Sequence, residues 1–429
     1  MRRALLFPLG IGFALVAAGL LLLNGSIVAA AIPVLLFAAV RLLSPTRRVG
    51  KDLLIERVLS TTRAVEGDEI DVEVTVDAVG SGIPLLAITD APPPALERVD
   101  GEIQFLGRLR SRDAASIRYT VIARRGRHRF GEIAIRSWSP WSLAVREESI
   151  HLDARVKVHP RIERIDPITI RPRRTRAFAG PVRANRGGQG LDFFGCRAYS
   201  PGDDIRRINW RAYARQDSLI VNEYELERIA DVNIILDARA KSHMELDGET
   251  TFDHSVRAVA ALASHFLEQG NNVGLLIYGS YVHWVFPGIG RFQQERILDE
   301  LSDAQLGDKA VFEELRFIPT RLFPPRSQLV LVSPLADEED IEIVALLAER
   351  GYSMLLVCPH SLQAVAADEP SDDGDRAVGL ATRILGLRRD LFLGSLAAVG
   401  TSVVDWQVED SLRQACQRIH HSRVRRYRS

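Results

Sequence analysis

Residues 187–227 gather the side chains of this 429-residue chain that could do chemistry. Gly187, Gly188 and Gly190 open the stretch and loosen its backbone. Tyr199-Ser200-Pro201-Gly202-Asp203-Asp204 then spells a turn, with Pro and Gly setting the dihedrals. Arg197 precedes that turn, and Arg206, Arg207, Trp210, Arg211, Arg215 and Glu223 follow it. Paired carboxylates among arginines can serve as acid and base, as helix caps within an ion-pair lock, or as half of a protein interface. The first role needs a nucleophile and base beside it, and the sequence supplies none. Cys196 lacks a placed histidine, so a catalytic thiol has no base. The expectation is a lock or a docking surface, and no catalytic residue is assigned. The alternatives are an enzyme using the Asp203–Arg215 cluster and a surface that binds anionic lipid.

Several elements must position this stretch. Asp203 and Asp204 can cap a helix starting near Ile205 and running to Arg215. Such a helix would set Ile208 beside Ala212, and Arg207 beside Arg211. Downstream, residues 228–429 alternate strands and helices. Val232–Leu236, Leu329–Ser333 and Ser353–Cys358 are short runs that are almost wholly apolar. Strands of that kind belong to a mostly parallel sheet covered on both faces, a doubly wound α/β fold. Ligands of such sheets sit at the carboxyl ends of the strands, where Asp237 and Ser333 fall.

Upstream, residues 50–160 read as a β-rich, sandwich-like domain. Glu69–Val76 alternates polar and apolar residues with period two, and Ala115–Ala123 does the same. Arg124–Phe130 contains a turn at Gly126. Trp138 and Trp141 fall between strands, where they can cap the sandwich core. Residues 161–186 are rich in arginine and read as a basic linker able to meet anionic lipid.

Residues 1–46 carry two apolar runs, about 4–23 and 27–43, joined at Asn24-Gly25-Ser26. They are expected to form two transmembrane helices in contact with the lipid bilayer. Arg2 and Arg3 precede the pair, and Arg41, Arg47, Arg48 and Lys51 follow it. That charge distribution predicts an inner or plasma membrane location with the bulk of the chain cytoplasmic. A secretory signal cleaved near Ala29–Ala31 is the rival reading, but its apolar region would be too long.

Composition narrows the classes further. The chain is too long for one typical domain, so a multidomain architecture is expected. Hydrophobic content of 46% and charged content of 26% are ordinary for a folding chain. The formal net charge is zero, and no nucleic-acid partner is expected. Three dispersed cysteines (Cys196, Cys358 and Cys416) give neither a disulfide framework nor metal-ligand spacing.

The order of elements after residue 228, with an aspartate closing the first strand, resembles a von Willebrand factor A domain. That family leads its first strand into Asp-x-Ser-x-Ser and binds a divalent cation through hydroxyl and carboxylate oxygens. Here Arg239 and Lys241 stand at the two serine positions, Pro334 at the second carboxylate, and Gly290-Arg291 where a threonine is needed. No metal and no cofactor are expected, Asp237 being a degenerate remnant that pairs with Arg239, Lys241 or a local backbone donor.

The central stretch resembles the signature of the domain-of-unknown-function 58 family. The matching positions are Gly190, Phe193 or Phe194, Arg197, Tyr199, Pro201-Gly202-Asp203-Asp204, Arg206, Ile208-Asn209-Trp210, Ala214-Arg215 and Glu223. That resemblance implies a paired-helix anchor, a β-rich segment, the signature and an A-like domain in succession. It also implies association with a MoxR-type AAA ATPase in assembly or maturation. The expected function is therefore a membrane-anchored, cytoplasm-facing adaptor that binds a protein partner.

Overall fold

The computed structural model describes residues 2–43, 52–80, 82–139, 145–168, 175–176, 182–246, 249–279, 282–307, 323–324, 327–335, 338–361, 383–384, 386–391, 393–396 and 401–418. The chain divides into two compact units, Met1–Val158 and His159–Ser429.

The first unit begins with α1 (Arg2–Leu21) and α2 (Gly25–Leu43). They pack through small residues: a Cβ on Gly12 would fall 2.5 Å from the Leu35 side chain, and one on Gly19 would fall 2.6 Å from Val28. Among the described residues no helix is long and apolar enough to cross a membrane. The twenty residues of α1 include Arg2 and Arg3, and the nineteen of α2 include Ser26, Pro33 and Arg41. The uncharged apolar part of each thus falls short of the ~20 residues that span a bilayer core. This overturns the expected transmembrane hairpin.

Two antiparallel sheets complete this unit. β1 (Leu53–Leu59), β3 (Glu69–Ala78), β7 (Ala114–Ile122) and β5 (Glu97–Gly101) form one, in that order. The other runs β2 (Arg63–Val65), β9 (Val145–His159), β8 (Gly126–Trp138), β4 (Ile83–Asp90), β6 (Gln104–Leu109). Period-two alternation turns Ile70, Val72, Val74 and Val76 inward, where they meet Leu86, Ile88, Phe130, Ile133 and Ile135. Gly126 begins the long strand β8 with φ +139 instead of interrupting it. Trp138 ends β8, and Trp141 lies outside the described residues.

One buried ionic cluster joins the two sheets. Arg57 on β1 binds Asp90 on β4 through both carboxylate oxygens, its Nε donating at 3.1 Å. Arg57 Nη1 also donates to the Leu152 carbonyl at 2.8 Å, and Tyr119 Oη on β7 donates to Asp90 at 2.8 Å. The side chains of Arg57 and Asp90 are 1% and 0% exposed, so each charge depends on the other. Burial, with Asp90 beside it, pushes the Tyr119 hydroxyl far above its ordinary range.

The second unit is built on one long strand. After β10 (Thr175–Arg176), β11 (Val182–Ala198) pairs antiparallel with the first half of β12 (Ile220–Asp237). Residues 182–186 are therefore strand where a linker was expected, and most of the rest of that linker lies outside the described residues. The register shifts between Ala184 and Gly187 and again between Gly188 and Phe193, so the glycines, Gly190 included, mark bulges in this hairpin.

The second half of β12 lies inside a mixed sheet. After a short hairpin, β13 (Glu245–Leu246) with β14 (Glu249–Thr250), β15 (Asn272–Tyr278) pairs parallel on one side of β12 and β17 (Gln328–Val332) on the other, followed by β18 (Ser353–His360) and β19 (Ser402–Gln407). β16 (Val282–Gly288) closes the opposite edge antiparallel to β15. Alternate residues of β12 point to opposite faces. Val232, Ile234 and Leu236 join the cluster containing α4 (Thr251–Glu268) and Ile297 and Leu301 of α5 (Gly290–Asp303). Ile235 joins the cluster containing Ile343, Val344 and Leu347 of α6 (Glu338–Glu349). α4 starts at a capping box, Thr250 and Asp253 each accepting from the other's backbone N–H. The chain leaves β12 for β15 on one side and later reaches β17 on the other. The carboxyl ends of β12 and β17 therefore flank the topological switch point.

Candidate functional site

Two polar clusters lie on β12, at opposite ends. Glu223 and Asp237 are separated along the strand by roughly 3.3 Å per residue, about 46 Å in all. They cannot line one cavity.

The first cluster holds the signature turn. Ser200 and Asp203 close it, with Asp203 N–H donating to Ser200 O at 3.0 Å. Pro201 takes the first corner and Gly202, at φ +107, the second, which only glycine fills without strain. Arg197, at the end of β11, grips the turn. Its Nη1 and Nη2 donate to Asp203 at 2.7 and 2.6 Å, and its Nε donates to Glu223 on β12 at 2.7 Å. Asp203 also accepts from Ser200 N–H at 2.8 Å. The bonds from Arg197, then the one from Ser200, hold the Asp203 carboxyl down to about 2. Asp203, and then Glu223, raise Arg197 above its usual range. At neutral pH Asp203 is thus a fixed anion holding Arg197, not a proton donor.

Beyond the turn the helix expected over 205–215 is two pieces. Asp204 caps a 3₁₀ turn, Ile205–Arg207, by accepting from Arg206 N–H at 3.0 Å. Ile208 leaves it in extended conformation and bridges Val221, and α3 (Trp210–Gln216) begins anew. The break comes from Asn209, whose Oδ1 caps Ala212 N–H at 3.0 Å while its Nδ2 donates to Asn222 at 3.0 Å. Ile208 and Arg207 therefore do not share helix faces with Ala212 and Arg211. An asparagine directly before Trp210 is a legible capping signal that competes with a continuous helix. Tyr199 is half-buried, its N–H donating to Leu219 O at 2.9 Å. Ile205, Trp210, Tyr213 and Leu219 remain 65%, 57%, 38% and 41% exposed, with Arg206, Arg211 and Arg215 exposed among them.

Residues 195–322 match the family model described as Protein of unknown function DUF58. The match starts within the Arg197 cluster and runs through the first crossover of the sheet. "Uncharacterized protein YeaD" of Bacillus subtilis (strain 168) is 22% identical over 263 residues, which are 60% of this chain and 62% of that protein. The chain thus spans less than two thirds of that relative. Among solved structures, the cupredoxin domain of amoB from Nitrosocaldus yellowstonii is 12% identical and aligns over 25% of this chain and 87% of its own, with TM-score 0.18. A FixG-related protein from Vibrio parahaemolyticus is 6% identical over 25% of this chain and 96% of its own, again at 0.18. Likenesses that slight carry no argument about fold or function.

The second cluster, at the far end of β12, is buried, and all of it but Ser333, just past β17, and Asp340 on α6 lies within the DUF58 match. Asp237, Arg239, Ser333 and Asp340 are 2%, 8%, 2% and 3% exposed. Arg239 donates from Nε to Asp237 Oδ1 at 2.9 Å and from Nη2 to Asp237 Oδ2 at 2.7 Å. The same Nη2 lies 3.0 and 3.1 Å from the oxygens of Asp340, the third residue of α6. Ser333 Oγ donates to Asp237 Oδ2 at 2.8 Å, and the guanidinium lies 5.6 Å from the centre of the Tyr278 ring. Burial works against the Asp237 charge, but the bonds and charge of Arg239, its backbone N–H and Ser333 outweigh it and hold the pKa below the usual range. Burial likewise opposes the charge on Arg239, and Asp237 and Asp340 overcome it. Burial lowers the His243 pKa, and because a carbonyl only accepts, its Nε2–H donates to the Asp237 carbonyl at 2.8 Å while Nδ1 faces the Thr251 hydroxyl at 3.1 Å.

Asp237 therefore pairs with Arg239, a partner two residues away that its sequence neighbourhood offered. Asp340, about a hundred residues on, carried no signal of its own. Cys196 lies 3.4 Å from Asn222 Oδ1, and Cys358 and Cys416 are buried, with burial pushing both thiols up to about 12. Neither buried thiol has the depressed pKa of a nucleophile.

Proposed function

We propose that this chain is a protein-interaction adaptor and that its signature segment is the docking surface. One observation carries the reading: Arg197, Asp203 and Glu223 are spent holding the turn, while Ile205, Trp210, Tyr213 and three arginines on the same segment stay exposed. Interfaces concentrate their binding energy in Trp, Tyr and Arg. A rigid mount lowers the ordering cost of using them. The family resemblance makes a MoxR-type AAA ATPase the partner to try first.

We also read the α/β unit as a von Willebrand factor A-like domain whose cation ligands have been replaced. The support is the parallel order around β12 and the position of Asp237 at its carboxyl end. Arg239 occupies a serine position of that pattern and places a guanidinium between Asp237 and Asp340.

The test is in-cell crosslinking from a photoreactive residue at position 213, in the native chain and in an Arg206→Ala/Arg211→Ala/Arg215→Ala variant. The reading predicts a discrete crosslinked protein that the variant loses while remaining folded. The same crosslinks in both chains would refute it.

A further inference from the structure

We propose that the outward face of the signature segment recognises an acidic protein segment that carries an apolar anchor. This rests on the docking reading above and names the chemistry of the partner.

The geometry of α3 makes one continuous face. At about 100° per residue, Tyr213, Trp210, Ala214, Arg211 and Arg215 follow one another around one side of the helix. Ala212, on the remaining side, is half-buried against its mount. Trp210 and Tyr213 meet edge to face, with centroids 6.2 Å apart. Ile205 and Leu219, on the stretches of chain just before and just after the helix, add two exposed aliphatic side chains. Two exposed aromatic and two exposed aliphatic residues within fifteen positions are uncommon unless something covers them.

The charges say what covers it. Among the described residues, Arg206, Arg211 and Arg215 make no side-chain ion pair or hydrogen bond. The acids nearest in sequence are committed, Asp203 to Arg197 and Asp204 to the backbone N–H of Arg206. Asp217, the exposed C-cap of α3, is the remaining acid of the segment. The patch thus carries a positive excess around an apolar centre, on a chain whose overall charge is zero. Complementarity calls for carboxylates around an apolar side chain.

Single-stranded nucleic acid fits less well. Successive bases stack on ring faces presented side by side, whereas Trp210 and Tyr213 stand at 89° to each other. The aliphatic residues at 205 and 219 offer bases nothing to stack on.

The test is selection of a random displayed-peptide library on the purified full chain, followed by binding of a synthetic peptide of the enriched sequence. The proposal predicts enrichment of Asp and Glu around a Leu, Phe or Trp. Affinity should fall about tenfold or more in Trp210→Ala and in Arg211→Ala/Arg215→Ala. It should weaken as salt rises. Arg211→Glu/Arg215→Glu should turn the selection toward basic peptides. These side chains are exposed, and an unchanged melting profile checks that each variant folds. Enriched peptides that lack acids yet depend on Trp210 would overturn the acidic partner and leave the docking reading standing. Peptides indifferent to every variant, or no enrichment at all, would overturn both. Tighter binding of single-stranded DNA or phosphatidylserine vesicles to the same residues would overturn the proposal in favour of those ligands.

Discussion

Replacing Arg239 with methionine removes a charge while keeping much of the stem volume. The guanidinium bonds Asp237 twice and Asp340 from the same Nη2, and both carboxylates are at most 3% exposed. Asp237 keeps only its bonds from the Arg239 backbone N–H and the Ser333 hydroxyl. Breaking one side of a buried ion pair costs about 3–5 kcal/mol, a large share of a typical domain's stability. The pH dependence carries the signature of the cause. In the native chain the Asp237 pKa is lowered, so its contribution is present above the unfolded value of ~3.9 and is lost as pH falls through the folded value. In Arg239→Met, burial acts with its counterweight gone and drives that pKa upward. The deficit should then be largest at neutral pH and shrink on acidification. Urea unfolding followed by circular dichroism at pH 7 and pH 5 measures both. Adding Asp237→Asn and Asp340→Asn to Arg239→Met should restore most of the loss, because no uncompensated charge remains. A loss below about 1 kcal/mol, or an equal loss at both pH values, would show that Arg239 does not hold these buried charges.

Four further outcomes follow from the same physics. His243, His254, His265 and His360 all have pKa values lowered chiefly by burial, so folding favours their neutral forms. Stability of the second unit should therefore decline as pH drops below ~6.5, which thermal melts between neutral and mildly acid pH will show. In the first unit, Asp90→Ala strands the buried Arg57 and should cost about 3–5 kcal/mol, against about 1 kcal/mol for Tyr119→Phe, both read by denaturant unfolding. Asp217 is a left-handed C-cap at φ 50, so Asp217→Gly should stabilise the chain by up to ~1 kcal/mol in the same assay. The Asp203 pKa is lowered to about 2, so the turn should hold unchanged down to pH ~4 and loosen only as pH falls toward that value. Amide exchange at residues 199–204 reads this directly.

Much of the architecture is visible in the pattern of side chains, because burial imposes period two on β3 and β7 and continuous apolar runs on β17 and β18. Positions whose outcome depends on distant partners are not. The apolar runs of residues 4–23 and 27–43 look alike to a bilayer and to a helical hairpin. What separates them is the placement of Arg2, Arg3, Pro33 and Arg41 within the helices that form. The strand at Val232–Leu236 was readable, but its continuity back to Ile220 was not, since residues 223–228 alternate polar side chains as an exposed hairpin does. That continuity is what separates Asp203 from Asp237. The signature was legible as a dense cluster, and its division into lock and exposed face was not, because it turns on which acid Arg197 selects.

Under the docking reading, residues 205–219 meet a partner on a mount fixed by Arg197. Hydrogen–deuterium exchange of the full chain, alone and with the protein captured from position 213, tests this most directly. Added protection is expected across residues 205–219 and none at the carboxyl ends of β12 and β17. Protection centred on Asp237 and Ser333, with residues 205–219 unchanged, would contradict it.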